Sequence, residues 1–429
     1  MQKAKLTIIG AGSASFTAGL VADLLSSGIE ADWTIGLVDI DPDALEVAHG
    51  LVRRMVETKG LGHSVEASID RCDVLLGSTF VVTTIAVGGR DGWRKDVQIP
   101  LEHGIHQPVA DTVGPGGISR ALRQIPAMLD IARDVAKLCP DAHFFNYANP
   151  MAAICRAVNK ATPATVTGLC HGVQGTLRYL CDKVRVDYCD VSSVYFGMNH
   201  LTWITHFTRR GEDLWPKVAG ILDGLSPSDN PFSWELYKAY GAFPAVLDRH
   251  VSEFFPERFF GGEEYTSDVV GEILSVMDGG DASWERRKRQ ARGEEELEEG
   301  LFERTLGEHE ALLPIIGSIM GDRHEVFPMN VPNTVLAGVP ADFMLEIPVA
   351  ATKAGCLPMG LPEMPAALMA WITEALYGVE ITVDAAITGD RNVFVQALLY
   401  DRSVPNLKAA EALADDLLRA HAEDLPQFA

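Results

Sequence analysis

The sequence is short of basic residues, and this shortage limits the partners that it can bind. Among its 429 residues, 36 lysines and arginines stand against 59 aspartates and glutamates, which gives a formal net charge of −23. A surface of this sign repels nucleic-acid phosphates and anionic membranes. Neither is therefore expected as a partner, although an arginine or a metal ion inside one pocket can still hold an anionic small molecule.

Long apolar runs and a disulfide framework are also missing. No uninterrupted apolar run reaches the ~20 residues that a membrane helix needs, and the first residues predict a strand rather than a secretory signal. Seven cysteines without framework spacing favour reduced thiols. Reduced thiols favour a cytoplasmic location. Because 47% of the residues are apolar, we also expect a globular protein with a sizeable core.

The first part of the chain alternates between strand-like and helix-like segments. A glycine turn and a helix ending near Ser26 follow the first strand, and residues 44–58 have the three-four apolar spacing of another helix. Apolar, β-branched segments predict strands at residues 5–10, 33–41, 78–89, 142–150 and 164–172. This alternation indicates an α/β fold with a doubly wound parallel sheet.

The second half of the chain has a different pattern. Residues 191–214 predict antiparallel strands with a turn at Arg209–Glu212, and residues 334–358 predict further strands. The charged segment 284–304 is expected to form a solvated helix or a flexible loop, and the C-terminal region is mostly helical. We therefore predict two domains, a Rossmann-like domain at residues 1–195 and an α+β domain at residues 196–429.

The glycine turn after the first strand, "GAGSASF", has features of a dinucleotide site. Gly10 and Gly12 permit a tight turn and a close approach of the backbone to a pyrophosphate at a helix N-terminus. Ser15 replaces the third glycine of the usual motif, but the position between a strand and a helix supports the assignment. We therefore predict that NAD binds at Gly10, Gly12, Ser13 and Phe16.

An acid at the end of the second strand favours NAD over NADP. Asp39 can accept hydrogen bonds from the adenosine ribose, and its charge disfavours a 2′-phosphate. The separation of Asp39 from Gly12 exceeds the usual spacing of about 20 residues, which an extended first helix explains. Asp41 is a competing candidate for the same role.

Polar side chains follow several predicted strands, at the edge of the sheet where doubly wound folds bind ligands. They are Asp111, Asn149, Cys170, His171, Asn199 and His200. Each has a structural alternative, such as a helix cap for Asp111 or a core position for His200. Cys170 and His200 together offer a thiolate and an imidazole, which suit a divalent metal whose other positions stay open to water and substrate.

The ordered motifs "GAGSASF", "LVDID", "DTVGPGG", "NYANPM", "CHGV" and "GMNHL" resemble glycoside hydrolase family 4, the NAD- and Mn²⁺-dependent glycosidases. The later segments "NVPN" and "GVPADFMLEIPV" are similar to the C-terminal half of that family. The resemblance thus covers nearly the whole chain. It implies a fold like that of lactate and malate dehydrogenases, and a homodimer or homotetramer.

The same resemblance implies a redox mechanism. Members of the family oxidise the sugar C3 hydroxyl with tightly bound NAD, which makes the C2 proton acidic enough for a protein base to remove. Elimination then expels the C1 substituent, water adds to the enone, and the hydride returns. The metal binds the C2 and C3 oxygens and stabilises the enediolate.

Roles for individual residues also follow from the resemblance. It implies that Cys170 and His200 are the metal ligands and that Asp111 assists the reaction near C3. The remaining residues, which bind sugar hydroxyls or flank the metal, are Asn149, His171 and Asn199. His171 is in addition a candidate for a catalytic role.

The base that removes the C2 proton is expected in the segment "YGAFPAVLDRHVSEFFP". Family members commonly use a tyrosine or an aspartate from this region, and no tyrosine follows Pro244 here. Asp248 is therefore the predicted base, with His250 and Tyr240 as alternatives. A structural pairing of Asp248 with Arg249 is the other interpretation.

The substrate class depends on two positions of the resemblance. Members that act on 6-phosphorylated sugars usually have Asn or Asp where His171 stands, so non-phosphorylated α-glycosides are expected. Arg249 can hold a C6 carboxylate with two hydrogen bonds, which favours an α-galacturonide or another uronide. That branch typically has Glu in place of Gly172, so α-galactosides and α-glucosides stay open. A 2-hydroxy-acid dehydrogenase is the alternative from a different class, but it leaves Cys170 without a role.

Overall fold

One continuous β-sheet runs through the computed structural model, which describes residues 2–256, 273–275, 277, 280–298, 300–303 and 311–429. Within these residues the sheet has 13 strands. In chain order they span Lys3–Ile9 (β1), Asp32–Val38 (β2), Ser64–Ser68 (β3), Phe80–Thr83 (β4), His143–Asn146 (β5), Val166–Gly168 (β6), Val191–Met198 (β7), Leu201–Arg209 (β8), Glu212–Asp213 (β9), Phe243–Pro244 (β10), Glu325–Pro332 (β11), Met344–Thr352 (β12) and Gly355–Pro358 (β13).

Helices connect these strands and form the C-terminal region. In the described residues they span Ala14–Ser26 (α1), Pro42–Lys59 (α2), Arg71–Leu75 (α3), Gly89–Glu102 (α4), Gly114–Leu138 (α5), Met151–Ala161 (α6), Gly172–Val184 (α7), Trp215–Ile221 (α8), Pro231–Tyr240 (α9), Asp248–Val251 (α10), Gly280–Arg292 (α11), Leu312–Gly321 (α12), Ala366–Thr388 (α13), Arg391–Tyr400 (α14) and Leu407–Ala420 (α15). The longest, α5, begins inside the motif "DTVGPGG", and Pro115 in its first turn loses no helical hydrogen bond.

The first half forms the parallel sheet that the sequence predicts. Its strand order is β3-β2-β1-β4-β5-β6, and all neighbouring strands are parallel. Leu6 and Ile8 of β1 and Ile35 and Leu37 of β2 are fully buried, as expected for strands that are covered on both faces. The carboxyl ends of these strands therefore lie along one edge of the sheet, and the α/β fold class is confirmed.

The sheet does not end at β6 but continues into antiparallel strands. Asn330 of β11 pairs with Gly168 of β6, and the order then runs β11-β12-β7-β8-β10. Strand β7 crosses residue 195, where the predicted domain boundary lies. The division into residues 1–195 and 196–429 stays a prediction, because one sheet joins the two parts.

Two strands differ from the sequence expectation. Strand β3 is a short edge strand, "SVEAS", and its polar composition gives no apolar run. Strand β11 contains Pro328 and Pro332, and proline usually excludes a central strand because it cannot donate a ladder hydrogen bond. Here Pro328 lies opposite Pro348 of β12, so two residues without an N–H group face each other.

The segment 191–214 forms antiparallel strands as predicted, but its main turn lies elsewhere. Arg209 pairs with Glu212 across the predicted turn, whereas the turn between β7 and β8 is formed by Asn199 and His200. No glycine or proline marks this tight turn in the sequence. His200 there has a φ of +65°, which few non-glycine residues adopt. Two of the candidate site residues thus occupy a strained turn.

The charged segment 284–304 is a solvated helix over part of its length. Helix α11 ends at Arg292, and Arg286 and Arg289 form ion pairs with Glu295 after the helix. This confirms the prediction for the described part of the segment, while residues 299 and 304 lie outside the described residues.

Helix α13 is long and apolar enough in composition to cross a membrane, with a mean hydropathy of 1.3. Its side chains Leu368, Ile372 and Val383 are nevertheless buried in the protein core. Glu380 on the same helix forms an ion pair with Arg156 at 2.7 Å. The buried share of its apolar segment is 33%, and this face of the helix packs on the protein core.

A buried ion pair between α4 and α5 lies against the C-terminal region. Arg123 of α5 donates to both carboxylate oxygens of Asp96 in α4, at 2.9 and 2.7 Å. The Nε2 atom of His421, which follows α15, lies 3.1 Å from the same carboxylate. All three residues are at most 2% exposed. Their contacts stabilise the position of α4 between α5 and the C-terminal helices.

Replacing Arg123 by methionine should lower the free energy of unfolding by about 3–5 kcal/mol, because Asp96 is then left buried without its partner. The control is Arg391→Met, which removes an arginine from a surface pair with Asp415 and should cost less than about 1 kcal/mol. Urea unfolding followed by circular dichroism measures both changes. Equally small losses in the two variants would contradict the importance of the buried pair.

Candidate active site

The turn after β1 has the geometry that a dinucleotide requires. Gly10 has a φ of +91°, and a Cβ atom there would meet the backbone of Thr84 and Ile85 at 2.9 Å. The N–H of Gly12 donates to Oδ2 of Asp39 at 2.7 Å. A Cβ atom at Gly12 would meet the same oxygen at 2.6 Å. Both positions therefore need glycine.

Asp39 lies in the groove beside this turn, and Asp41 does not compete for the place. The groove has a volume of about 420 Å³ and is lined by Gly10, Ser13 and Asp39, among others. Asp41 instead accepts hydrogen bonds from two N–H groups in the first turn of α2 and caps that helix. The structure thus separates two acids that the sequence alone could not distinguish.

Cys170 and His200 approach each other from two strand ends. Cys170 follows β6, His200 lies in the turn between β7 and β8, and both are buried. The Sγ atom of Cys170 is 3.6 Å from Nε2 of His200. The backbone N–H of Gly172 points to the same sulfur at 3.3 Å. The fold therefore brings together the two residues that the sequence suggests as metal ligands.

The geometry and charge of this pair fit a divalent metal. A tetrahedral ion with bonds of about 2.3 Å to sulfur and about 2.1 Å to nitrogen holds these atoms roughly 3.6 Å apart. Burial lowers the pKa of His200 to about 3, so its imidazole is neutral and able to act as a ligand. Burial raises the pKa of Cys170 to about 12, and a bound cation would favour its thiolate.

A chain of hydrogen bonds fixes the tautomer of His200. The Thr112 hydroxyl donates to Oδ1 of Asp111 at 2.6 Å and lies 2.7 Å from Nδ1 of His200. Because a hydroxyl has only one hydrogen, Nδ1 of His200 must donate to Thr112. The imidazole proton is then on Nδ1, and the lone pair of Nε2 faces Cys170. Metal-binding histidines are oriented by contacts of this kind.

Asp111 is the centre of the polar cluster next to this pair. Its Oδ1 atom lies 4.0 Å from Nδ1 of both His200 and His250, and its Oδ2 accepts from the Asn149 amide at 2.9 Å. Burial opposes the ionisation of Asp111, but the Arg120 guanidinium and the Thr112 hydroxyl favour its carboxylate, and its pKa lies below the ordinary value. Asp111 is therefore an ionised carboxylate in a largely buried setting.

Asp111, His200 and His250 are a second group that could hold a metal ion, because one ligand atom of each lies within 4.8 Å of the others. The Nδ1 atom of His200 already binds Thr112, so only its Nε2 atom is open, and this atom faces Cys170. The hydrogen bonds therefore favour the pair of Cys170 and His200 and leave Asp111 and His250 beside it.

Two buried polar atoms at this cluster point to a ligand. Nδ1 of His250 and Oδ1 of Asn149 have no hydrogen-bond partner within the described part of the chain. Buried polar atoms in folded proteins nearly always have a partner. The hydroxyl groups of a bound sugar would supply such partners.

Helix α10 presents His250 to the cluster, and Asp248 is directed elsewhere. The rings of His250 and His200 are in contact, with 4.1 Å between their centroids. The Asp248 carboxylate accepts hydrogen bonds from the N–H groups of Phe232 and Ser233 and from the Ser233 hydroxyl, at 2.6 to 3.0 Å. Asp248 thus caps the N-terminus of α9, and this position gives no support to its predicted role as the C2 base.

Glu253 supports the loop that leads to Asp111. Its Oε1 atom accepts hydrogen bonds from the N–H groups of Val109 and Ala110, at 2.9 and 2.8 Å. Ala110 has a φ of +58°, a conformation that costs free energy and needs support from its surroundings. Burial raises the pKa of Glu253 to about 8. One short segment therefore carries His250 and also holds the Asp111 loop in place.

Other predicted residues lie around this centre. His171, directly before α7, and Arg249, within α10, are exposed. The Tyr240 hydroxyl accepts a hydrogen bond from the indole N–H of Trp371 at 2.8 Å. The ring of Phe16 packs edge-on against Tyr147, with 5.1 Å between centroids, and links the nucleotide turn to the residues after β5.

Three residues with clear roles in the geometry are missing from the sequence-based set. Thr112 follows Asp111 directly, and Glu253 lies in the same segment as the predicted base, but neither type of residue signals its contacts. Glu346 gives a clearer signal, because it is an acid within the apolar strand "MLEIPV". An acidic residue is rarely fully buried unless it is paired.

The chain matches two family models that cover most of its length. The model for the family 4 glycosyl hydrolases matches residues 5–186. The model for the C-terminal domain of family 4 glycosyl hydrolases matches residues 195–404. The two matched regions meet near the start of the antiparallel strands.

Individual proteins are similar over nearly the whole chain. An alpha-galactosidase of Bacillus subtilis is 28% identical over 99% of both chains, and an alpha-galacturonidase of Lachnoclostridium phytofermentans is 28% identical over 99% of this chain and 97% of its own. The crystal structure of lplD from Bacillus subtilis is 27% identical in sequence and superimposes with a TM-score of 0.86. The match covers 97% of this chain and 100% of lplD. A 6-phospho-alpha-glucosidase from gut microorganisms, solved with NAD and Mn²⁺, has a TM-score of 0.86 at 20% identity over 100% of both chains. The protein belongs to glycosyl hydrolase family 4.

Proposed function

We propose that this glycosidase hydrolyses non-phosphorylated α-glycosides by a redox mechanism that uses NAD and a divalent metal. The observation that carries the proposal is the hydrogen-bond chain from Asp111 through Thr112 to His200, which leaves the Nε2 lone pair facing Cys170. A glycosidase that works with two carboxylates has no need of a histidine and a thiol in this arrangement. The dinucleotide groove lies along the same edge of the sheet.

The residues present fit both groups. NAD fits the groove at Gly10, Gly12 and Asp39, and Mn²⁺ or another divalent ion fits Cys170 and His200. The 6-phospho-alpha-glucosidase of similar fold was solved with NAD and Mn²⁺. When bound, NAD would exchange a hydride with C3 of the sugar and the metal would stabilise charge on the C2 and C3 oxygens.

The protein's own polar groups bind the sugar and move its protons. Asp111 is ionised and accepts the Asn149 amide, so these two side chains can accept and donate hydrogen bonds at adjacent hydroxyls. Asp111 would take the hydroxyl proton as C3 is oxidised. His171, exposed at the start of α7, would contact the sugar, and buried Asn199 would support the ligands from behind.

His250 is better placed than Asp248 to remove the C2 proton. Burial lowers the pKa of His250, so that its neutral imidazole can accept a proton near neutral pH. Its Nδ1 atom is buried without a partner in the described residues, whereas both oxygens of Asp248 accept hydrogen bonds at the start of α9. We therefore assign the base role to His250 and a structural role to Asp248.

An α-galacturonide is the substrate that we favour. Arg249 is exposed beside His250 and close enough to lower the pKa of that histidine, after the larger effect of burial. A carboxylate at C6 of the sugar would pair with this guanidinium. The similar alpha-galacturonidase of Lachnoclostridium phytofermentans aligns with nearly the whole chain.

An α-galactoside or α-glucoside is the second candidate, and one observation favours it. A Cβ atom at Gly172 would lie 2.7 Å from Cγ1 of Val246 and 3.1 Å from the carbonyl oxygen of Ala245. The glutamate that α-galacturonidases typically carry at this position therefore has no room here. Of these two positions, only Arg249 supports a uronide as the substrate.

We also infer a cytoplasmic location and a homodimer or homotetramer. All seven cysteines are free thiols, which suits a reducing compartment. Helices α13 to α15 expose the large apolar side chains Tyr377, Leu399, Tyr400 and Leu407. A second copy of the chain would cover this apolar surface.

The redox mechanism requires that the C2–H bond breaks and is rebuilt from solvent. Sugar released in D₂O should therefore carry deuterium at C2, as proton NMR of the product measures. NAD should be required for turnover, and NADH should not accumulate. Product without deuterium at C2, or NADH formed in proportion to the released sugar, would exclude the mechanism.

His250→Gln should lower turnover by ~10²–10⁴-fold, the usual contribution of a general base. Asp248→Asn should instead lower the free energy of unfolding by about 1 kcal/mol, because it weakens a helix cap. Steady-state kinetics and urea unfolding of both variants separate the two roles, with NAD affinity as the control for an intact groove. A large loss of turnover in Asp248→Asn with unchanged stability, and normal turnover in His250→Gln, would restore Asp248 as the base.

Arg249→Gln should lower kcat/KM for an aryl α-galacturonide by about 10- to 100-fold, since a hydrogen bond to a charged group contributes about 1.5–3 kcal/mol. Activity on the matching α-galactoside should change little, because that sugar has no carboxylate. Arg53→Gln, at an exposed arginine of α2, is the control. If wild type cleaves only the galactoside, or if both substrates lose activity equally in Arg249→Gln, the uronide proposal is wrong.

A further inference from the structure

A row of residues crosses the sheet next to both metal-ligand positions. Cys170 lies two residues after one end of the row, and His200 lies two residues before the other end. Successive pairing across β6, β11, β12, β7 and β8 places in this row Gly168, Asn330, Glu346, Gly197 and Thr202.

Glu346 forms the centre of this row through its side chain. Its Oε1 atom accepts from the Asn330 amide at 3.0 Å, and its Oε2 atom lies 2.6 Å from the Thr202 hydroxyl. The three side chains are at most 1% exposed. Burial raises the pKa of the Glu346 carboxyl, and the hydrogen bonds from Thr202 and Asn330 counteract this change. Glu346 is thus linked directly to β8, which follows His200, and through Asn330 of β11 to β6, which precedes Cys170.

The row is packed so closely that β6 and β7 carry glycine in it. A Cβ atom at Gly168 would lie 2.9 Å from Cβ of Asn330, and one at Gly197 would lie 2.2 Å from the carbonyl oxygen of Leu201. Gly197 also has a φ of +156°. Close packing of this kind resists local adjustment, so a change at the centre of the row shifts the ends of β6 and β7.

Stability alone gives no reason for an acid at this place. The neighbours of Glu346 in β12 include the buried residues Leu345, Ile347 and Val349, and an apolar side chain of similar size would avoid the cost of burying a carboxyl group. We propose that Glu346 is a positioning residue that sets the separation of Cys170 from His200. This inference rests on the metal site of the proposed function, and it makes metal affinity depend on a residue that touches neither ligand directly.

Metal binding to Glu346→Leu and Glu346→Gln tests the proposal. Glutamine keeps an acceptor for the Asn330 amide and places a donor beside the Thr202 hydroxyl. The Thr202 hydroxyl can then donate to the carbonyl oxygen of Met198. Leucine removes the contacts with both Asn330 and Thr202. Glu346→Leu should bind Co²⁺ and Mn²⁺ about 10- to 100-fold more weakly, as variants behind metal ligands do. Glu346→Gln should bind them nearly as wild type does. Calorimetry measures both affinities, and the thiolate-to-cobalt absorption band reports on the Cys170 contact.

A second pair of variants separates positioning from general damage to the strand. Thr202→Val removes the hydroxyl beside Glu346, and Thr352→Val removes a hydroxyl from the far end of β12, where it donates to the carbonyl oxygen of Gly355. Only Thr202→Val should weaken Co²⁺ binding, while both should lower the free energy of unfolding to a similar extent. If Glu346→Leu does not fold, this pair carries the test.

The outcomes distinguish the inference from the proposed function. Wild-type affinity and an unchanged cobalt band in Glu346→Leu, or in Thr202→Val, would overturn the role of Glu346 and leave the metal site intact. Equal losses in Thr202→Val and Thr352→Val, or a loss in Glu346→Gln as large as in Glu346→Leu, would also overturn it. If wild type and Cys170→Ser both lack the band, the metal site itself is wrong. NAD affinity should stay constant throughout.

Discussion

The active site depends on the junction where Asn330 of β11 pairs with Gly168 of β6. Cys170 belongs to the parallel half of the sheet, and His200 belongs to the antiparallel half. The strands β11 and β12 connect β6 to β7 in the sheet, and this connection places Cys170 close to His200. This ladder contact joins the parallel strand that precedes Cys170 to the antiparallel strands that lead to His200.

Burial and neighbouring groups give the ionisable residues of this site different protonation states. His200 is kept neutral and Cys170 is kept protonated, because both are removed from water. Asp111 stays ionised in spite of its burial, because the Arg120 guanidinium and the Thr112 hydroxyl favour its carboxylate. Environments that move the pKa values of neighbouring groups in opposite directions are what general acid and base chemistry requires. The fold thus gives these side chains protonation states that the residue types alone leave open.

Much of the fold could be predicted from the sequence, because buried parallel strands and a glycine turn leave strong local patterns. The sequence also suggests Cys170 and His200 as a pair, because a thiol and an imidazole suit a divalent metal and the resemblance implies both as ligands, but the turn that carries His200 leaves no local pattern. The choice between Asp248 and His250 could not, because two positions within one short helix point in different directions. The contacts of Thr112 and Glu346 join residues far apart in the chain, so no local pattern predicts them.

The continuity of the sheet also affects how substrate can enter. Many enzymes that bind a nucleotide and a second ligand close two lobes about a flexible joint. In the described residues, hydrogen-bonded strands run without a break from the nucleotide groove to the turn at Asn199 and His200. Closure of two lobes would break the hydrogen bonds between these strands. The separation between the nucleotide groove and the turn at Asn199 and His200 is therefore fixed by the strand ladder itself.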